Sequence, residues 1–111
     1  MAYGVVHLPF YATGFRGDDL EAALAQLAPL SLRYGGTRYD VYRSRDDQYK
    51  FLLSVEFAEK GQWDAFWFGE EFTSFRSACS SWFQVPLLYW WNDSVCSGRL
   101  RSEAELVDEL A

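Results

Sequence analysis

The sequence predicts one α+β domain with the ferredoxin-like order βαββαβ: a four-stranded antiparallel sheet with two helices on one face. Three observations carry this. The chain has 111 residues, the size of a single domain. Two alternating stretches, Thr37 to Ser44 and Tyr49 to Phe57, flank the polar Arg45-Asp46-Asp47 and read as a hairpin. A stretch of helical spacing precedes the hairpin and another follows it, and an apolar strand-like run stands at each outer end.

Residues 3–10 form the first predicted strand, and Pro9, which lacks an N–H, is expected to end its pairing or sit on an edge. Asp18 reads as a helix N-cap with Glu21 as its capping-box partner. Leu20, Ala23, Leu24 and Leu27 then mark one helix face, and Pro29 stops the helix near Ala28. In the hairpin's second strand Tyr49, Phe51, Leu53, Val55 and Phe57 share one face. A second helical stretch runs from about Gln62 to Ser81, with a break expected at Gly69 between its two aromatic patches. Val85 to Trp91 reads as the last strand, closed by Asn92-Asp93, and residues 95–100 as a short irregular piece. Ser102-Glu103-Ala104-Glu105 is a capping box opening a short terminal helix, so the chain divides into a domain over 1–101 and an acidic helical tail over 102–111.

The net charge of −6 is mostly that tail, which carries four acids and no base. A pI near 4.6 and bases spread mainly as singles argue against a nucleic-acid partner. No apolar run approaches the roughly 20 residues of a spanning helix, and no secretory signal is visible, so the expectation is a cytoplasmic protein without a membrane partner. Cys79 and Cys96 make no CxxC pair, and a single histidine gives no zinc spacing, so no metal site is expected. The two cysteines read as small buried hydrophobes, with a disulfide left open.

Two helices cover one face of a sheet, and this sequence supplies no clearly polar second face. Val85 to Trp91 is apolar on both sides, and 21 of the 111 residues are aromatic. Exposing so much apolar surface would exceed what soluble monomers carry, so a sheet-to-sheet homodimer is expected.

The stretch Phe51 to Phe75 joins a strand ending Val-Glu-Phe-Ala-Glu to Trp63-x-x-Phe-Trp-x-x-x-x-Phe72-x-x-Phe75, and runs on through Trp82-Phe83. With the element order of residues 2–98, it resembles the dimeric α+β barrel proteins, in particular the antibiotic-biosynthesis-monooxygenase-like group. That resemblance implies a ligand pocket between sheet and helices, and activities such as cofactor-independent oxidation of aromatic polyketides, cyclisation or haem degradation. In haem-degrading members a histidine on the second helix holds the haem. Here Arg76 falls near that place, so no haem or other cofactor is expected. Phe66 falls about where those enzymes carry a tryptophan, and His7 near a first-strand polar residue.

His7 is either a general base or a buried histidine with one satisfied hydrogen bond. Arg76 either anchors a carboxylate or phenolate oxygen, or pairs with an acid such as Asp40 or Glu56. Trp63, Phe66, Trp67, Phe72, Phe75 and Tyr89 are candidates to line a pocket for a flat aromatic ligand, against ordinary core packing. The acid pairs Asp18/Asp19, Asp46/Asp47 and Glu70/Glu71 read as helix-start and turn residues. Two functions remain open. One is a small-molecule enzyme of the cofactor-independent monooxygenase or cyclase type. The other is a non-catalytic binding or assembly module that uses the barrel and the acidic tail.

Overall fold

A computed structural model describes residues 3–100. The strands are β1 (Gly4–Tyr11), β2 (Arg38–Arg43), β3 (Lys50–Phe57) and β4 (Trp90–Asp93). The helices are α1 (Gly17–Leu27), α2 (Lys60–Trp67) and α3 (Glu70–Ala78), with 3-10 turns over Ala28–Tyr34 and Ser80–Trp82. The sheet order is β2-β3-β1-β4, with every pairing antiparallel. This is the predicted α+β arrangement.

Alternation assigns the two sheet faces. Val6, Leu8 and Phe10 of β1 and Phe51, Leu53, Val55 and Phe57 of β3 point inward and are buried. Leu20, Leu24 and Leu27 of α1, Trp63 and Phe66 of α2, and Phe72 and Phe75 of α3 close over them. Tyr49 stands just before β3 and is exposed.

The break at Gly69 divides the predicted second helix into α2 and α3. Tyr34 and the carbonyl of Ala65 crowd this residue, so a Cβ there would lie 2.6 Å from the Tyr34 hydroxyl. The start of α2 carries a capping box between Glu59 and Gln62, an E-x-x-Q signal that the sequence reading passed over. The box predicted for Asp18 and Glu21 does not form. Arg16 precedes α1, and Arg43 of β2 instead takes both carboxylates, at 2.8 and 3.2 Å.

The last strand is shorter and later than predicted. An isolated bridge joins Ala12 to Phe83, and the ladder resumes only at His7 and Trp90. The first interval is five steps along β1, but seven along the other chain segment. Two surplus residues therefore bulge out, in a stretch where Pro86 has no N–H to donate. Asn92 and Asp93 lie within β4 rather than closing it. Pro9 does not end β1, since it pairs with Leu52, but it lies just past the last β4 pair, where that side of β1 is an edge. Residues 94–100 are irregular, as expected. Cys79 is buried and Cys96 exposed, and both are free thiols, so the reading of two buried cysteines fails for Cys96. The predicted tail over 102–111 lies outside the described residues.

Candidate functional site

Beneath the inner face, rings pack edge to face. Trp63 meets Phe57, Phe66 and Phe72 at centroid separations of 6.3, 5.9 and 5.9 Å. Trp63, Phe66 and Phe72 are wholly buried, and Phe75 stacks on Phe83. These four candidate pocket residues are therefore core. The reason is volume: in-pointing strand residues and two short helices bring the rings into mutual contact.

Trp67 and Tyr89 are different. Both are only partly buried, and their rings meet at 5.2 Å on the side of the bulged segment before β4. Arg76 of α3 lies over the Trp67 ring at 3.8 Å and over Phe72 at 5.2 Å. Its Nη1 donates to the Trp67 carbonyl at 2.8 Å, which closes the gap between α2 and α3. Among the described residues no carboxylate pairs with Arg76. The acids considered for it are engaged elsewhere: Asp40 with Arg38, and Glu56 with the Thr37 hydroxyl. Burial draws the Arg76 guanidinium below its ordinary pKa, although an arginine remains charged. A half-buried cation with most of its five N–H donors free thus sits against two aromatic faces. Beside them the buried Trp63 Nε1 has no hydrogen-bond partner among the described residues.

His7 lies on the other side of the sheet. It points outward between Val6 and Leu8, across from Ser54 on β3 and Trp90 on β4. The Trp90 ring meets it edge-on at 5.9 Å. His7, Arg38, Asp40 and Ser54 line a polar cleft of about 450 Å³, closed in part by Ser94, Cys96 and Ser97. The sheet therefore separates the two predicted catalytic residues. Sequence alternation already placed His7 opposite Val6 and Leu8, but only the sheet order says which face the helices cover.

A groove of about 600 Å³ was not foreseen as a unit. It lies at the far end of the same outer face, lined by Pro9, Tyr11, Tyr42, Lys50, Leu52 and Leu88 among others. The signal for it was the strand phase opposite to the core phase, joined by a segment that bulges where a strand was expected.

No protein-family profile matches the chain, and no curated protein matches it. Solved structures do. A protein assigned as an antibiotic biosynthesis monooxygenase from Nitrosomonas europaea superposes with a TM-score of 0.77 at 17% identity, covering 85% of this chain and 91% of that one. The fold is that of the antibiotic-biosynthesis-monooxygenase-like proteins. A protein of the same assignment from Bordetella bronchiseptica gives 0.76 at 20% identity, over 86% of this chain and 100% of its own. SnoaB from Streptomyces nogalater, a cofactor-independent oxygenase solved as a point mutant, gives 0.74 at 13% identity, covering 87% of this chain and 97% of its own. Among the described residues, no helix is long and apolar enough to cross a membrane, and no cluster of metal-ligating side chains occurs.

Proposed function

We propose that the chain is a small-molecule pocket protein of the cofactor-independent monooxygenase or cyclase kind. It takes an aromatic, polyketide-like substrate on the Trp67–Tyr89 side of the helices and works in the cytoplasm as a sheet-to-sheet homodimer. The observation that carries this reading is Arg76, a half-buried guanidinium over Trp67 with no carboxylate to neutralise it among the described residues. The likeness to SnoaB supports the reaction class.

A flat substrate stacks on Trp67 and Tyr89, and its phenolate or enolate oxygen takes the free Arg76 N–H donors. Stabilising that oxyanion in a water-poor site is the largest catalytic contribution a protein can make to such chemistry. His7 is not the base for a substrate held at Arg76, because the sheet stands between them. The proton then passes to solvent water at the mouth of the site, with the substrate's acidity raised by the guanidinium.

Oxygen uptake and quinone absorbance with 1,8-dihydroxyanthrone test this reading. Turnover above the protein-free rate is expected, falling roughly 100-fold in Arg76→Met, the scale of losing one oxyanion donor. Rates equal to the protein-free control, or unchanged in Arg76→Met, defeat it.

A further inference from the structure

Strand register builds the outer-face groove. Pro9, Leu52 and Tyr42 lie in one row across β1, β3 and β2, and Tyr11 and Lys50 lie in the next row toward the hairpin. Alternation sends all five side chains to the face opposite the core. Tyr11 and Tyr42 stand on the strands either side of β3, so the floor between them is roughly 10 Å wide, two strand spacings. Gln84 N donates to the Tyr11 carbonyl at 2.8 Å, and the chain then leaves the ladder until Trp90. Pro86 and Leu88 of that bulge make the remaining wall, with Leu88 68% exposed.

The groove is apolar at its floor and holds one uncommitted charge. No acid lines it. Arg43 is neutralised by Asp18 and Glu21, and its Nε donates to the Gln48 carbonyl at 2.8 Å. Asp47 is not a lining residue, and its carboxylate already accepts from the Tyr11 hydroxyl and the Tyr49 N–H, each at 3.0 Å. Lys50 is exposed at the rim and has no carboxylate partner among the described residues.

We propose that this groove binds an arylalkyl carboxylate. The flat ring lies on Pro9 and Leu52 between the two tyrosines, and the carboxylate takes the Lys50 ammonium. A bare inorganic anion would leave the apolar floor wet, and a neutral ring would leave the one free cation unmatched. A volume of about 600 Å³ holds a ligand of two fused rings. Every lining residue belongs to one chain, so the site is complete without a second copy. The sheet separates it from Arg76 on the helix side.

The test titrates the full, isotope-labelled chain with naphthalene-2-acetate and follows the backbone amide resonances. Saturable shifts are expected at Leu52, Tyr42 and Leu88, with a dissociation constant below about 1 mM. Naphthalene-2-acetamide, which has the same ring and no charge, should bind about tenfold more weakly. Lys50→Met should weaken the acetate about tenfold and leave the acetamide unchanged. Leu88→Asp should weaken both. Arg76→Met should change neither. Both altered groove residues are exposed, and unshifted resonances elsewhere show that each variant is folded.

The titration is repeated over a tenfold range of protein concentration, which separates ligand binding from pairing of the sheets. No saturable shift in the groove at any of these concentrations overturns the site. Shifts confined to Trp67, Arg76 and Tyr89 assign the ligand to the helix side and also overturn it. Equal affinity for acetate and acetamide, or an acetate affinity unchanged in Lys50→Met, removes the carboxylate from the proposal and defeats it. The anthrone assay reports separately on the Arg76 site.

Discussion

At the residue scale, Phe15 is the least expected feature. It is 97% exposed and sits at φ 65° in the turn closed by Arg16 N donating to Thr13 O. That third turn position favours glycine, and the sequence places its glycine one residue early, at Gly14. The left-handed conformation costs a non-glycine residue about 1–2 kcal/mol. Glycine there adds unfolded-state entropy worth roughly 0.5–1 kcal/mol, so relief of strain prevails by a small margin. Phe15→Gly should therefore raise the melting temperature by a few degrees, which thermal denaturation checks. Periodicity could not foresee this residue, because a turn's handedness is not a hydrophobic pattern. Arg76 shows the opposite case. Its place beside Phe72 and Phe75 was legible from helical spacing, but its stacking on Trp67 depends on how Gly69 folds α3 back against α2.

At the element scale, the 3-10 turn after α1 is tied to α3 through Tyr34, whose hydroxyl donates to Glu71, with Arg33 at 3.6 Å from the same carboxylate. The bond holds Glu71 below its ordinary pKa and Tyr34 above its own, with desolvation and the carboxylate's charge adding to the latter. A lowered carboxylate contributes stability above its unfolded pKa, which is lost as pH falls through the folded value. A raised phenol contributes stability below about pH 10, lost as pH rises further. Tyr34→Phe should therefore flatten the melting temperature against pH below about 4.5 and above about 10, relative to wild type. A curve of unchanged slope at both ends would show that the tie is thermodynamically silent. The sequence showed both elements but not this link, since thirty-seven residues separate its partners. The strand β3 was legible throughout because one strand carries both phases cleanly. The strand β4 was not, because a run apolar on both sides fixes no register and the two surplus residues leave no periodic trace.

At the scale of the whole molecule, the expected second layer concerns the outer face. It is more mixed than the sequence suggested: His7, Ser54, Asp40 and Arg38 form a polar band beside exposed Tyr42, Leu88 and Trp90. Homodimers whose halves bury such a face melt at a temperature that depends on concentration. A hundredfold dilution should lower the transition by several degrees if the sheets pair. A transition independent of concentration over that range would mean that each chain is stable alone. The element order was enough to predict the fold because it constrains topology strongly. The division of labour between the two faces was not, because it depends on which aromatic side chains the helices can cover.

Pro9 bears on a different matter, the company the protein keeps in a crowded solution. The β4 ladder stops at His7, and the Tyr11 carbonyl next accepts from Gln84 N, so from Leu8 to Phe10 one side of β1 lacks a ladder strand. An open stretch of strand is a template onto which any extended peptide can crystallise its own hydrogen bonds. A residue without an N–H near the middle of that stretch interrupts the template. What reads within the fold as a tolerated irregularity acts, between molecules, as a guard against unwanted polymerisation.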